Sequence, residues 1–375
     1  LYAWLESYSG EPSGGNANQA TNANIWVKLP NGIGANSNTK IYMVFLPTST
    51  NFDGNYWGEA PQLSSTYGQY DNGQNVFTYY WNFKGTSLPS GWTTAGTDAF
   101  TGSVNNGITV QYAVSNVNNE GGGAESGELS ALNPPAILDM YGLIFPAGYG
   151  YAEMGFSSSN SYYSSYYTYQ NSYEYKVYNT AGSGFTIGIT SPGISGYGSS
   201  TYSTFPYNSY EIYSAVYGPS GTSVSFIENY QTTLVSGSVP SGDTISPNYV
   251  FLNVYDQGYN SYIKAYWLRL RAYPPNGDMP TATVGSIPGS NQKYEFAIKL
   301  TVNGLNAITG APMSASTWLN LTSNLYWQGN VFKADIFDIS GMAPTIVLPM
   351  YAIELLILLW IGIIIVAYRI NKEVD

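Results

Sequence analysis

The sequence contains no cysteine and no histidine, and only 9% of its 375 residues are charged. Without cysteine there is no disulfide framework, no thiolate nucleophile and no thiol-ligated metal site. Without histidine there is no Ser-His-Asp triad and no ordinary zinc or haem ligation. Any enzymatic chemistry would therefore depend on carboxylates, tyrosine or lysine.

Positive charge is also scarce. The chain has 12 Lys and Arg residues against 23 Asp and Glu, which gives a net charge of −11. Between Lys84 and Lys264 the only cation is Lys176. Nucleic acid is excluded as a partner on this basis, because binding to phosphates requires clustered Lys and Arg.

Tyrosine and glycine are abundant, at 37 and 41 residues, and short runs rich in Val, Ile, Thr, Tyr and Trp recur along the chain. Gly, Pro, Asn and Ser bound these runs, as they bound the strands of antiparallel sandwiches. The predicted strands are Asn24–Leu29, Lys40–Leu46, Asn75–Phe83, Gly107–Val114, Tyr151–Phe156, Tyr173–Tyr178, Phe185–Thr190, Tyr210–Tyr217, Ser223–Tyr230, Tyr249–Tyr255 and Ile263–Arg271. The pattern predicts an all-β protein whose sheets pack face to face.

The C-terminal segment Ile346–Tyr368 is apolar except for Glu354. As a helix it would be about 34 Å long, enough to cross a bilayer core of roughly 30 Å. The alternative, a buried core helix, is seldom so long and so uniformly Leu and Ile. We therefore expect a single transmembrane helix over 345–368, with the basic tail 369–375 in the cytoplasm and the rest outside.

The N-terminal residues Leu1–Leu5 form an abrupt apolar start. Two origins remain open: the mature end left by a removed secretory leader, which we favour for an exported domain, or the last turn of a preceding hydrophobic helix. The turn residues Tyr273–Gly277 indicate a domain boundary. The expected organisation is an N-terminal β region (1–70), a β-sandwich (71–275) and a membrane-proximal β unit with linker (276–344).

Five segments in this order resemble uncharacterised archaeal and bacterial surface proteins with a concanavalin A-like (lectin/glucanase-type) domain. They are Ile25–Pro30, Asn38–Met43, Asp71–Phe77, Asn82–Trp92 and Tyr266–Pro275. The resemblance covers roughly residues 20 to 280 and implies an antiparallel jelly-roll sandwich in an exported or membrane-anchored protein. Sugar-cleaving relatives of this fold carry a Glu-x-Asp-x-x-Glu arrangement on one strand. The sequence around Glu153 lacks it, so we expect a protein that is not an enzyme.

Two groups of residues are candidate ligand sites. Glu120, Glu125 and Glu128 form the densest carboxylate cluster, in a Gly-rich segment read as a solvated loop. Calcium binding, the one cofactor considered, and acid–base catalysis on a glycosidic bond are the alternatives. The second group consists of tyrosines suited to stacking on sugars or contacting proteins, or else to an exposed polar hairpin. These are Tyr162, Tyr163, Tyr166, Tyr167 and Tyr169.

Two single residues are the remaining candidate functional sites. Glu354 lies about 12 Å into the apolar span, where a carboxylate usually faces a protein partner, a cavity or a proton path. A tilted helix that leaves Glu354 near the headgroups, or a protonated carboxyl, is the alternative. Asn320 begins the sequon Asn320-Leu321-Thr322, a candidate glycosylation site.

The low charge density suits an acidic exterior, because a surface of Ser, Thr, Asn, Gln, Tyr and Gly changes little when carboxylates protonate. We therefore predict an acidophilic, archaeal envelope. The main functional prediction is a non-enzymatic, membrane-anchored envelope protein that presents a lectin-like sandwich for binding or surface assembly. Its partners would be membrane lipid, envelope proteins and glycans. The alternatives are an accessory subunit of a membrane complex or virion envelope, and a carbohydrate-binding or carbohydrate-cleaving surface protein.

Overall fold

The computed structural model describes residues 1–11, 13, 20–34, 37–41, 50–96, 100–112, 120–130, 135–163, 168–169, 171–179, 185–191, 194–202, 209–218, 223–239, 247–257, 259–274, 292–305, 312–328 and 331–338. The chain divides into two compact units, Leu1–Met279 and Pro280–Asp375. Regular structure in the described ranges is β except for one four-residue helix.

The first unit begins with a three-stranded sheet of order β2-β1-β3. Its strands are β1 (Tyr2–Ser9), β2 (Asn22–Lys28) and β3 (Trp57–Glu59), and the short helix α1 (Gly73–Val76) follows. Strand β1 pairs antiparallel with β2 and parallel with β3. We call this part the N-terminal sheet.

Two larger antiparallel sheets follow. The seven-stranded sheet has the order β15-β14-β13-β10-β19-β8-β5. Its strands are β5 (Thr93–Gly96), β8 (Glu120–Glu125), β10 (Tyr151–Ser157), β13 (Ser172–Asn179), β14 (Phe185–Ser191), β15 (Ile194–Tyr202) and β19 (Tyr249–Asp256). A separate two-stranded hairpin consists of β11 (Tyr162–Tyr163) and β12 (Thr168–Tyr169).

The eight-stranded sheet has the order β18-β17-β16-β9-β20-β7-β6, and β4 pairs with β20 beside this path. Its strands are β4 (Tyr79–Trp81), β6 (Phe100–Val104), β7 (Ile108–Tyr112), β9 (Ala136–Phe145), β16 (Glu211–Tyr217), β17 (Ser223–Glu228), β18 (Thr232–Ser238) and β20 (Tyr262–Ala272).

Side chains alternate between two faces along each strand, and those on the inner faces form one core between these two sheets. In β10, Ala152, Met154 and Phe156 enter the core, while Glu153 and the other residues of opposite parity lie on the outer face. The same core takes residues from the central strands of both sheets. The chain crosses between the sheets at β8–β9–β10 and again at β18–β19–β20. This confirms the predicted all-β antiparallel sandwich, and the crossings are consistent with a jelly roll.

Within the described part of the chain, no helix is long and apolar enough to span a membrane. The predicted span over 345–368, Glu354 and the tail 369–375 lie outside the described residues. The predicted transmembrane helix therefore stays a prediction.

A buried arginine joins the N-terminal sheet to the sandwich. Arg269 on β20 has no exposed surface and forms ion pairs with Glu6 of β1 at 2.7 Å and with Asp139 of β9 at 3.0 Å. Tyr230 accepts a hydrogen bond from Arg269 at 2.6 Å and donates one to Glu6 at 2.6 Å. Four aromatic rings have their centroids 4.2–5.4 Å from the guanidinium carbon: those of Trp4, Trp26, Phe77 and Trp267.

Asp71 organises the segment that returns from the N-terminal sheet. Its carboxylate accepts hydrogen bonds from the Trp4 indole at 2.9 Å, from the Asn82 amide at 2.6 Å and from the Tyr80 hydroxyl. It also accepts the Gly73 backbone N–H at 3.0 Å, which makes an Asx-turn into α1. Burial raises the pKa of Asp71. Because Trp4, Phe77 and Trp267 share one buried cluster, the N-terminal sheet and α1 pack directly on the sandwich.

The second unit contains a single described sheet of order β21-β22-β23. Its strands are β21 (Gln292–Leu305), β22 (Pro312–Gln328) and β23 (Val331–Asp338), and both pairings are antiparallel. Strand β22 lies in the centre and carries Asn320 at a position opposite Ala297.

The Arg269→Met substitution should destabilise the protein by about 3–5 kcal/mol, because Glu6 would be left buried without its cationic partner. The matched control is Arg271→Met. The Arg271 side chain is 12% exposed and also pairs with Asp139. In the Arg271→Met variant Asp139 would keep its ion pair with Arg269. Chemical denaturation of the full chain measures both losses. Equal losses in the two variants would contradict the central role of Arg269.

Candidate functional site

The outer face of the seven-stranded sheet carries a cluster of polar side chains. The register aligns Lys176 of β13, Glu153 of β10 and Asn253 of β19 across three neighbouring strands. Glu153 accepts a hydrogen bond from the Asn253 amide at 2.7 Å and lies 3.5 Å from the Lys176 ammonium. Lys176 also pairs with Glu174 at 2.6 Å. One lysine thus compensates two carboxylates, and this raises the pKa of Lys176 above its ordinary value despite its burial.

Glu125, at the end of β8, has a different environment. Its carboxyl accepts a hydrogen bond from the Ser157 hydroxyl at 2.7 Å, and the residue is only 1% exposed. Burial raises the pKa of Glu125 from 4.5 to about 7, and the bond from Ser157 offsets part of this rise. Glu125 therefore holds a proton over a wide acidic range.

Glycines on this face make room for aromatic rings. A Cβ atom on Gly123 would lie 2.5 Å from the Leu252 carbonyl oxygen and 3.0 Å from the Tyr169 ring and hydroxyl. One on Gly155 would lie 2.2 Å from the Tyr173 carbonyl oxygen and 2.6 Å from the Phe251 ring. The rings of Tyr169 and Phe251 lie 4.8 Å apart between centroids. Gly123 on β8 and Gly155 on β10 are therefore required by packing, since a larger side chain at either position would collide with a backbone carbonyl of the next strand and displace a ring.

The predicted tyrosine site is only partly available to a ligand. Tyr162 and Tyr163 pair with Tyr169 and Thr168 in the small hairpin. Tyr169 is 1% exposed, because its ring packs on Gly123 and Phe251. The expectation that Tyr169 offers its ring to a ligand is therefore wrong. Tyr166 and Tyr167 lie outside the described residues.

The three-carboxylate site predicted at Glu120, Glu125 and Glu128 does not form. The segment is not a solvated loop, because Glu120–Glu125 is strand β8, which lies one strand in from the edge of the sheet and pairs with β5 and β19. Glu120 and Glu125 lie at its two ends, about 16 Å apart at the rise of a strand, and Glu128 lies beyond it, exposed. Among the described residues no group of three or more acidic side chains could hold a metal ion. In the sequence, the three successive glycines 121–123 resemble a loop and hide the alternation of a strand.

The structure brings together three tyrosines that the sequence did not single out. Tyr178, Tyr151 and Tyr255 occupy one register row across β13, β10 and β19, and we call them the tyrosine row. The Tyr151 and Tyr255 rings stack with centroids 5.0 Å apart. The Lys176 ammonium lies 4.4 Å from the Tyr151 centroid. All three tyrosines are half-buried.

Two further tyrosines flank the row at the same end of the sheet. Tyr149 lies two residues before the start of β10 and is 48% exposed. The pKa of Tyr178 is raised by burial, by Tyr255 and, to a smaller extent, by Tyr149. Tyr259, which follows β19, is 55% exposed and lies against Gly148. Only the register of three strands that are distant in sequence could have revealed this group.

The two remaining candidates lie elsewhere. Asn320 is on β22 of the second unit, and Glu354 lies outside the described residues. The site therefore consists of residues on the outer face of the sandwich: an aromatic end and a polar centre.

These features define an antiparallel β-sandwich with an aromatic and acidic outer face. No family profile matches the chain. The chain is 31% identical over 310 residues to the uncharacterised protein 562 of Sulfolobus islandicus rod-shaped virus 1. That alignment covers 76% of this chain and 50% of the viral protein, so the chain spans about half the length of this curated relative.

Solved structures with a similar fold include the carbohydrate recognition domain of Emp47p, with 9% identity and a TM-score of 0.39 over 52% of this chain and 95% of that domain. The Bacillus licheniformis β-glucanase is 11% identical, with a TM-score of 0.36 over 51% of this chain and 96% of that enzyme. The Pyrococcus furiosus endo-β-1,3-glucanase is 10% identical, with a TM-score of 0.38 over 52% of this chain and 93% of that enzyme.

The raised pKa of Glu125 predicts a specific dependence of stability on pH. Between pH 4.5 and about 7 the folded protein retains a proton on Glu125 that the unfolded chain has released. The free energy of unfolding should therefore fall as pH rises through this window, by about 3 kcal/mol in total from this group. The Glu125→Gln variant should lose that decline, and should be more stable than the parent protein at pH 8.

The matched control is Glu128→Gln, three residues along the chain and exposed. Its free energy of unfolding should follow that of the parent protein across the same pH range. Denaturant titrations from pH 4 to pH 8 give the three curves. If the free energy of unfolding has the same slope against pH for Glu125→Gln and the parent protein between pH 4.5 and 7, the prediction that Glu125 is buried with its proton is contradicted.

Proposed function

We propose that this chain is a non-enzymatic envelope protein whose sandwich binds glycans at the tyrosine row. The observation that carries the proposal is the alignment of Tyr178, Tyr151 and Tyr255 across three strands, with the exposed Tyr149 and Tyr259 beside them. Tyrosine combines a flat apolar face with a hydroxyl, so it can stack on a sugar ring and bond its hydroxyls.

Polar groups near the row suit the same ligands. The Gln257 amide donates a hydrogen bond to the Tyr255 hydroxyl at 2.9 Å, which fixes that hydroxyl as a donor toward a bound group. Lys176 lies over Tyr151 while paired with Glu174. A site of aromatic faces and neutral or paired polar groups favours an uncharged polyhydroxylated ligand over an anion.

The carboxylates of the outer face support binding rather than cleavage. Glu153 is fully buried and engaged by Asn253 and Lys176, and Glu174 is 2% exposed and bonded to Lys176 and Thr190. A glycosidase requires two carboxyl groups that reach the scissile bond from opposite sides. These carboxylates instead compensate a lysine.

The envelope part of the proposal has two supports. The apolar segment Ile346–Tyr368 has the length of a membrane span, and Glu354 within it suits contact with a protein partner. The similarity to a protein of an archaeal virus favours a virion or host-cell surface over an accessory subunit of a cellular complex. The sugar chain of a glycosylated Asn320 would belong to this same exterior.

An acidic exterior is part of the proposal. Burial raises the pKa of Glu125, Asp71, Glu59 and Glu228, so these groups favour folding at low pH. Asp139 acts in the opposite sense, because Arg271 and Arg269 lower its pKa against the effect of burial. Its contribution to stability is present above its ordinary pKa of 3.8 and is lost as pH falls through the lower, folded value.

Substitution of the exposed tyrosines should weaken glycan binding without loss of the fold. Each stacked ring contributes about 0.5–1.5 kcal/mol, so Tyr149→Ala combined with Tyr259→Ala should reduce affinity roughly tenfold or more. A glycan array probed with the full chain in detergent identifies the ligand, and calorimetry gives the affinities.

The control for these variants is Tyr56→Ala, which removes a tyrosine that is 57% exposed in the N-terminal sheet region. Its affinity should equal that of the parent protein. Absence of binding to any glycan, or an equal loss on Tyr56→Ala, would refute the proposed site.

Cleavage of glycosides is a second candidate, favoured by one observation. Glu125 keeps its proton to about pH 7, as a general acid must, and Glu153, the ion-pair partner of Lys176 at 3.5 Å, is a second carboxyl group on the same face. Release of reducing ends from polysaccharides at pH 5, abolished by Glu125→Gln and retained by Glu128→Gln, is the expected result for this function. A full-length protein that binds a glycan and releases no reducing ends would reject it.

A further inference from the structure

The sheet of the second unit has one face without charge. The register places residues of β21, β22 and β23 on two faces by alternation. We call the face that carries no charged residue the apolar face. Its positions include Tyr294, Phe296, Ile298, Leu300, Val302, Met313, Ala315, Leu319, Leu321, Leu325, Trp327, Phe332, Ala334 and Ile336.

The opposite face carries the charges of these strands up to residue 337. Lys293, Glu295, Lys299, Lys333 and Asp335 all fall on this polar face. The sequon residue Asn320 falls on the same face, at a position beside the charged ones. The segregation is one of charge, because the apolar face also includes Thr317 and Ser323 and the polar face includes Trp318. Confinement of the charged residues to one face indicates that the two faces have different environments.

A single layer of three strands does not bury an apolar face by itself. Stable β architectures are built from at least two packed layers, and an isolated sheet of this kind needs a partner layer. Among the strands described in this unit no second layer is present. The apolar face therefore requires an occupant of similar length and width.

We propose that this occupant is the apolar face of a second copy of the chain, so that two membrane-proximal sheets form a symmetric sandwich. The pairing would be isologous, the commonest arrangement in soluble homo-oligomers. A sheet is the natural cover for a sheet, because two twisted sheets pack in alignment at about 10 Å.

The area of the face matches this occupant. Strands of 14, 17 and 8 residues, at about 3.3 Å per residue and 4.8 Å between strands, give a face of roughly 600 Å². Two copies would bury about 1,200 Å² in total, which reaches the range of specific, stable interfaces. The absence of charge at the centre of the face is also typical of such interfaces.

Membrane attachment favours the same geometry. This step rests on the proposed C-terminal anchor, which begins only seven residues after Asp338. Two copies anchored in one membrane hold their membrane-proximal sheets at the same height. A two-fold axis along the membrane normal then brings the two apolar faces together without reorienting either chain.

Cross-linking tests the proposal, because the natural chain has no cysteine and any product must come from an introduced thiol. Leu319→Cys places a thiol at the centre of the apolar face, and Lys299→Cys places one on the polar face, next to Ile298, the register partner of Leu319. Each full-length variant is treated in its membrane with a bismaleimide of about 8–10 Å reach, close to the spacing of packed sheets. We expect at least tenfold more covalent dimer with Leu319→Cys.

Equal yields from the two variants would overturn the proposal. A second outcome would also overturn it: the Leu319→Cys protein has the mass of a monomer, and its thiol does not react with a monofunctional maleimide. The chain would then cover its own apolar face. The native mass of the unmodified full-length protein in mild detergent should be that of a dimer, which avoids any folding defect of a variant. An alkaline carbonate wash tests the anchor separately: protein that stays in the membrane as a monomer contradicts the dimer alone, and protein that washes off contradicts the anchor.

Discussion

The fold of the first unit depends on one buried cation. Arg269 lies in the central part of the eight-stranded sheet, where an uncompensated charge would cost several kcal/mol. Asp139 compensates it from the neighbouring strand, and Glu6 does so from the N-terminal sheet. The four aromatic rings around the guanidinium add cation–π attraction and exclude water. The N-terminal sheet is therefore required to shield this outer face of the eight-stranded sheet from water.

Both outer faces of the sandwich thus carry polar groups, but they are compensated in different ways. On the eight-stranded sheet, Arg269 is paired with acids from two separate parts of the chain. On the seven-stranded sheet, Lys176 is paired with Glu174 and Glu153 on its own and the adjacent strand, while Glu125 stays neutral up to about pH 7. A protein with few charges can bury several of them when each has a partner or keeps its proton.

The sequence predicted the fold class well, because alternation and turn residues are local signals. It missed β9, whose residues Ala136–Phe145 are mostly buried and so show no polar alternation. It read β8 as a loop, since a glycine such as Gly123, which accommodates the Tyr169 ring and the Leu252 carbonyl, looks the same as a glycine in a turn. The tyrosine row could not be predicted, because it depends on the pairing of β10 with both β13 and β19. Burial of Tyr169 likewise depends on contacts that are distant in sequence.

The contact between Glu6 and Arg269 sets an order of events during synthesis. Glu6 leaves the ribosome early, whereas Arg269 is added about 260 residues later, a delay of roughly 13–50 seconds at ordinary translation speeds. Throughout that interval Glu6 lacks the arginine that compensates its charge, although β2, β3 and Asp71 are already available to the N-terminal strand. The acid made among the first residues is thus among the last of this unit to gain its ionic partner.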